Sequence, residues 1–97
     1  MPAYITLWKF TAQGIANVKS SPDRVKAAKA MLEQMGGRMI GAWWTMGEYD
    51  FVTITEGTDD ATAVLATLNI VRAGNVTSMT MRAFSEEDFA QIVAKLP

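Results

Sequence analysis

The segment Glu48-Tyr49-Asp50 places a phenol between two carboxylates and is the cluster in this sequence best suited to acid–base chemistry. A carboxylate beside a phenol can hold a proton, position an amine or activate a polar substrate. A structural role is the alternative: Asp50 would accept backbone N–H bonds that fix a turn, and Glu48 would be a solvated surface residue. For Asp50 we expect the structural role.

Two basic residues on predicted strands are candidate anion-binding groups. Arg82 offers a planar fork of donors to a carboxylate or phosphate, and Lys9 offers a compact charge. An ion pair with Asp50 or Glu56 would explain the same residues without any ligand.

Three further polar residues precede or open the first long helix: Gln13, Asn17 and Arg24. Their amide and guanidinium groups could line the mouth of a pocket, although capping and solvation explain them equally well. The aromatic residues could hold a flat organic molecule, but we expect most of them to form a packed core. They are Tyr4, Trp8, Trp43, Trp44, Tyr49 and Phe51.

The composition excludes several classes of protein. The chain has 97 residues, of which 49% are hydrophobic and 20% charged, so we expect one folded domain over residues 1–97. Cys and His are both absent, which removes disulfides, thiol nucleophiles and the commonest metal ligand and general base. We therefore expect no metal site and no cofactor.

Charge and hydropathy also limit the partners. A formal net charge of −1 gives no general attraction to phosphate backbones, so no nucleic-acid partner is expected. The sequence has no apolar run of about 18 residues and no signal-peptide pattern at its start. These absences predict a cytoplasmic protein without a membrane partner.

Periodicity and turn residues predict an alternation of strands and helices. The strands are expected at residues 3–10, 38–46, 51–54 and 76–84. The long helices are expected at 21–35 and 59–73, with one or two helical turns within 11–19 and a terminal helix after 85. Ser21 is predicted to cap the first long helix, and Gly47 to form the tight turn of a hairpin.

The same periodicity suggests which residues face the helices. Val52 and Ile54 are predicted to face them. In the second long helix the core stripe is predicted as Val64, Leu65, Leu68 and Val71. The open sheet face would then carry Tyr4, Thr6, Trp8, Tyr49, Phe51 and Thr53. Because such a face is too aromatic to stay solvated, we expect a second sheet to pack on it.

The predicted order is βαββαβ followed by a helix, which is the plan of an α+β ferredoxin-like sandwich. One antiparallel sheet of four strands would carry both long helices on one face.

The hairpin contains a Gly-x-Tyr-Asp motif at Gly47, Tyr49 and Asp50, and the chain resembles the GYD domain family, which is named for it. The likeness extends through Tyr4-Ile5-Thr6-Leu7, Thr11-x-Gln13-Gly14-Ile15, Ser21-Pro22-x-Arg24, Gly36-Gly37 and Arg82-Ala83-Phe84. This resemblance implies a subunit that pairs sheet to sheet as a dimeric α/β barrel, and it implies little about chemistry. The hairpin is also similar to the ligand-binding effector domain of leucine-responsive transcription regulators.

Three functions are compatible with these observations. The first is a homodimer or higher homo-oligomer that binds a small organic ligand between sheet and helices, near Tyr49, Asp50 and Arg82. The second is a cofactor-independent enzyme, a small monooxygenase or isomerase, with Tyr49 or Asp50 as acid or base. The third is a structural assembly subunit, and likeness of fold does not choose among them.

Overall fold

The computed structural model describes residues 2–97 and contains one antiparallel sheet of four strands. The strands are β1 (Ala3–Phe10), β2 (Arg38–Trp44), β3 (Phe51–Glu56) and β4 (Val76–Ala83). They lie in the order β2-β3-β1-β4, and every neighbouring pair is antiparallel. The helices are α1 (Ala12–Ala16), α2 (Ser21–Gln34), α3 (Asp60–Val71) and α4 (Glu86–Val93). The predicted α+β ferredoxin-like fold is confirmed.

The hairpin between β2 and β3 closes two residues earlier than predicted. Strand β2 ends at Trp44, and Thr45 closes the loop that follows. Its N–H donates to the Asp50 carbonyl at 2.9 Å, and its hydroxyl donates to the Tyr49 carbonyl at 2.6 Å. Gly47 takes a positive φ of 108° in the turn, as its predicted role requires.

The predicted cap of α2 is wrong. A short 3-10 helix at Val18–Ser20 leads directly into α2, so the backbone is already helical at Ser21, and the cap position falls to Ser20. Ser21 is buried, and its hydroxyl accepts a hydrogen bond from Trp44 Nε1 at 3.2 Å. This residue therefore connects α2 to the sheet.

The two faces of the sheet are reversed relative to the prediction. Five residues predicted on the open face are only 3% to 6% exposed and lie beneath the helices: Tyr4, Thr6, Trp8, Phe51 and Thr53. Val52 and Ile54, predicted to be core, lie on the other face, where they pair with Leu7 and Ile5. No helix of the described chain covers that face.

Small residues on the helices explain this choice of face. Toward the sheet α2 presents Ala28, and α3 presents Ala63 and Ala66. Because alanines leave a wide gap between the layers, the side chains that fill the gap must be the large ones of the sheet. Trp8 and Phe51 supply that bulk and pack with Val76 in the core.

The same arrangement overturns the predicted core stripe of α3. Val64, Leu65 and Leu68 are 57%, 60% and 58% exposed, whereas Ala66 is 7% exposed. Of the predicted stripe, Val71 packs against the core. Val64, Leu65 and Leu68 thus form an apolar ridge on the outer surface of α3, while Ile70 and Val71 near its end pack inward.

Polar groups on the covered sheet face find partners within it. Trp8 Nε1 donates to the Thr53 hydroxyl at 3.0 Å, and the hydroxyls of Thr6 and Thr80 lie 3.1 Å apart. Each of these groups therefore has at least one hydrogen-bond partner although the face is covered by helices.

Tyr4 should make the free energy of unfolding depend on pH. Its phenol donates to Asp60 Oδ1 at 2.5 Å, and this bond, with burial as the second cause, raises the pKa of Tyr4 above its ordinary value of about 10. Above about pH 10 the unfolded chain loses this proton more readily than the native state does, so the free energy of unfolding should fall as pH rises.

Replacing Tyr4 by Phe should remove that alkaline decline and cost about 1–3 kcal/mol at neutral pH through the lost bond to Asp60. Urea unfolding of Tyr4→Phe, measured at a series of pH values from 8 upward, checks both effects. The control Tyr49→Phe should keep the decline, and an unchanged decline in Tyr4→Phe would contradict the assignment.

Within residues 2–97 the structure has no helix that combines the length and apolar character needed to cross a membrane.

Candidate functional site

A cavity of about 430 Å³ lies between the sheet and the two long helices. This volume falls within the range of roughly 300–1,000 Å³ that is usual for small-molecule sites. Its walls are mainly apolar and include Trp8, Val25, Ala28, Met31, Phe51 and Ile70. The alanines of α2 lie along this space and are too small to fill it.

The aromatic rings of Trp8 and Phe51 form the floor of the cavity and belong to a larger group of contacting rings. Trp8 and Phe51 stack with ring centroids 5.5 Å apart and an interplanar angle of 8°. Phe51 also meets Phe10 at 5.5 Å and Trp44 at 5.9 Å. A flat apolar molecule would find a preformed surface here.

Arg24 is the residue of the cavity lining that carries a charge. Its Nη1 donates to the Asn17 carbonyl at 3.0 Å and to the Ser20 hydroxyl at 2.5 Å, whereas its Nη2 is buried and has no partner. Two ion pairs occur within residues 2–97, Lys9 with Glu48 and Arg38 with Glu56, and neither involves Arg24. The guanidinium is thus held by neutral groups alone.

The three residues predicted at a pocket mouth are connected to one another. Gln13 Nε2 donates to the Ala73 carbonyl at 3.0 Å and fastens α1 to the end of α3. Asn17 Nδ2 donates to the Gln13 carbonyl at 3.1 Å, and the Asn17 carbonyl in turn accepts from Arg24. Of the three, Arg24 lines the cavity, while Gln13 and Asn17 support the wall beside it.

Lys9, Glu48 and Tyr49 come together elsewhere, on the open side of the sheet. Lys9 Nζ lies 3.5 Å from Glu48 Oε1 and 5.1 Å from the centroid of the Tyr49 ring. The Tyr49 hydroxyl is 4.0 Å from Met79 Sδ. Because the side chains of Lys9 and Glu48 are 43% and 73% exposed, this pair is solvated and contributes little to stability.

Asp50, which precedes the first residue of β3, continues the hydrogen bonding to the end of β1. Its Oδ2 accepts the Phe10 N–H at 2.7 Å, and its own N–H donates to the Trp8 carbonyl at 2.8 Å. The carboxylate satisfies a partly buried backbone donor where no strand carbonyl continues the ladder.

Removing this carboxylate should destabilise the fold. We expect Asp50→Ala to lower the free energy of unfolding by about 1–3 kcal/mol, because the Phe10 N–H loses its acceptor. Urea denaturation checks this value, with Glu48→Ala at the neighbouring exposed position as the control that should change it by less than about 0.5 kcal/mol. Equal losses in the two variants would contradict the role given to Asp50.

Arg82 lies apart from the other candidates. In the β1–β4 register it is opposite Tyr4, near the start of β1, whereas Asp50 bonds to residues at the end of that strand. Its guanidinium carbon is 4.8 Å from the centroid of the Phe84 ring, and its Nη1 donates to the Ala83 carbonyl at 2.6 Å. The predicted common site near Tyr49, Asp50 and Arg82 is therefore not assembled within a single subunit.

The basic residues also form other ion pairs than the sequence suggested. Lys9 pairs with Glu48 rather than with Asp50 or Glu56, and Glu56 is taken by Arg38. Lys9 and Arg82 also lie on opposite faces of the sheet, since Lys9 is opposite Thr77 and the side chains alternate along β4. These two cations cannot bind one anion within a single subunit.

The sequence reasoning missed most of the cavity wall, in particular Val25, Met31, Asn69 and Ile70. The available signal was the concentration of alanines on the inner sides of both long helices, which indicates a wide space between the layers.

The cavity lining contains few groups that could take part in acid–base chemistry. Among the lining residues that the structure describes, Arg24 is the one with an ionisable side chain, and neither Tyr49 nor Asp50 reaches the cavity. Within residues 2–97 no group of three or more Asp, Glu, His or Cys residues is placed to hold a metal ion.

Comparison with known proteins identifies the family of the chain and proteins that are similar to it. The GYD domain matches residues 4–93 of the chain. A Thermus thermophilus protein named "Glutamine synthetase and cystathionine beta-lyase binding protein" is 33% identical over 97 residues, which cover 99% of each chain. The crystal structure of FFRP-DM1 has a TM-score of 0.57 and 21% identity, covering 87% of this chain and 100% of that one. At that identity the structural likeness concerns the fold alone.

Proposed function

Because the chain belongs to the GYD domain family, we propose that it is a homo-oligomeric module that binds a small organic ligand between its sheet and its long helices. The observation that carries this proposal is the apolar cavity of about 430 Å³ with its preformed aromatic floor. Its position differs from the sequence-based expectation, since it lies beside Arg24 rather than near Tyr49 and Arg82.

The open face of the sheet supports self-association. Its centre is formed by aliphatic, methionine and indole side chains: Ile5, Leu7, Trp43, Val52, Ile54, Met79 and Met81. Lys9, Glu48 and Tyr49 lie at one end of this face. Trp43, Met79 and Met81 are 54%, 51% and 41% exposed in the single subunit. A second copy of the same sheet, related by twofold symmetry, would cover this face with a surface of the same character. The cavity lies on the other side of the sheet and would stay accessible in such a dimer.

Binding of a partner protein is a second candidate function, favoured by the Thermus thermophilus relative that is named for binding two enzymes. The surface that supports it here is the apolar ridge of Val64, Leu65 and Leu68 on α3. This ridge lies on the helix layer, so sheet-to-sheet pairing would leave it available to a partner.

The cavity can be tested with indole as a neutral aromatic probe. In a titration followed by amide NMR, indole should shift signals of α2 and α3 in a saturable manner. Ala28→Trp, which fills the cavity, should abolish these shifts, whereas Ala30→Trp on an exposed position of the same helix should preserve them. Oligomers that show no saturable shift with indole would sink the ligand-binding proposal and favour a structural assembly subunit.

A further inference from the structure

We propose that the ligand of this cavity is a monocarboxylate with an aromatic or branched apolar body and no amino group, and that Arg24 binds its carboxylate. The inference rests on the proposed ligand-binding function and narrows it to one chemical class.

The first argument is the unpartnered nitrogen of Arg24. Nη2 is buried, Arg24 has no carboxylate partner within residues 2–97, and Nη1 bonds only to a carbonyl and a hydroxyl. A buried charged donor without an acceptor is costly, while a charge-assisted bond to a carboxylate is among the strongest hydrogen bonds in proteins. A ligand carboxylate at the Arg24 wall would provide the missing negative charge, and it would also become the acceptor of Nη2 once a small shift of the guanidinium brought that inaccessible nitrogen to the cavity surface.

The second argument is that Arg24 is already held in position. The Asn17 carbonyl and the Ser20 hydroxyl fix one side of the guanidinium, and Asn17 is itself tied to the Gln13 carbonyl. A ligand that meets a pre-oriented fork loses less of its binding energy to ordering the side chain.

The third argument concerns the rest of the ligand. The stacked rings of Trp8 and Phe51 suit a flat or branched apolar body, and Met31 can adapt to its shape. The hydroxyls of Ser21 and Thr53 each accept a bond from an indole, and within residues 2–97 neither is bonded to an acceptor through its own proton. Both can donate to a ligand, which again favours a ligand rich in acceptors.

The fourth argument comes from the charges of the lining. It contains one cation and, among the described residues, no Asp or Glu. A ligand ammonium group would therefore be buried without a counter-ion, which is strongly unfavourable. The lining selects against amino acids and against dicarboxylates, and in favour of a simple carboxylic acid.

Three matched probes test this class: phenylacetate, phenylacetamide and L-phenylalanine, titrated by calorimetry at pH 7 into the 97-residue chain. Phenylacetate should bind about tenfold or more tightly than either of the other two. Arg24→Gln should remove that preference, so that phenylacetate and phenylacetamide bind with similar affinities. Lys26→Gln removes an exposed charge from the same helix and should keep the preference intact.

Arg24→Lys is a second variant in case Arg24→Gln does not fold. It retains the positive charge but loses the planar fork, so it should retain part of the preference for phenylacetate. Equal affinity for the three probes, or the same preference in Arg24→Gln and wild type, would overturn the inference. If indole binds but phenylacetate binds no more tightly than phenylacetamide, the ligand is not a carboxylate, and the ligand-binding function stands. If neither indole nor any of the three probes binds, both fail.

Discussion

Gly14→Ala should lower the free energy of unfolding by about 3 kcal/mol, the upper part of the range seen for overpacked sites. A Cβ at this position would lie 1.9 Å from the Asn75 carbonyl oxygen and 2.9 Å from its carbonyl carbon. Both are backbone atoms, so no side-chain rotation relieves the overlap, and α1 must move away from the segment that leads into β4. This movement would strain the bond from the Thr11 N–H to the Asn75 carbonyl, which is 3.0 Å long.

Gly36→Ala is the matched control for this prediction. Gly36 has a positive φ of 89°, but a Cβ there would meet nothing within 4 Å, so the substitution should cost only about 1 kcal/mol of backbone strain. Urea unfolding of both variants gives the comparison. If Gly14→Ala costs no more than Gly36→Ala, then the close approach of α1 to Asn75 does not exist in solution.

The elements of the fold were predictable because their signals are local. Alternation of side chains gives β1 within its observed bounds, Ala3–Phe10. The starts of α3 and α4 also depend on short segments, since Asp59 accepts from the Thr62 N–H and Ser85 accepts from the Asp88 N–H. Each signal depends on residues a few positions apart in the chain.

The choice of sheet face could not be read from the strands alone. Alternation shows that Trp8 and Leu7 point in opposite directions, but it does not say which of them meets a helix. That choice depends on the small residues of α2 and α3, which are distant in sequence and become neighbours only in the folded chain. The aromatic face does need a cover, as predicted, and the helices supply it.

The candidate site was predictable only where its residues have local signals in the sequence. The sequence indicates Arg24 as a residue that could line a pocket, because its position at a helix start is a local feature. The separation of Arg82 from Tyr49 and Asp50 depends on the register of β4 against β1, which no local signal specifies. A site that draws on several strands requires the register before its members can be grouped.

Ile54→Lys should convert the proposed oligomer to monomers, raising its dissociation constant by about a hundredfold or more. Ile54 pairs with Ile5 on one side and Gly41 on the other, so it lies on the open apolar face away from the sheet edges. In a twofold sheet-to-sheet dimer the new ammonium groups would be buried without counter-ions. The subunit itself should stay folded, because this face is uncovered by helices within it.

Analytical ultracentrifugation over a range of concentrations measures this effect, and Leu65→Lys on the outer ridge of α3 is the control. Both variants place one lysine on an apolar surface of the single subunit, so they change solubility and net charge alike and differ only in which surface they touch. If Leu65→Lys dissociates the oligomer while Ile54→Lys leaves it intact, copies of the chain associate through α3. The open sheet face would then be the surface left for a different partner.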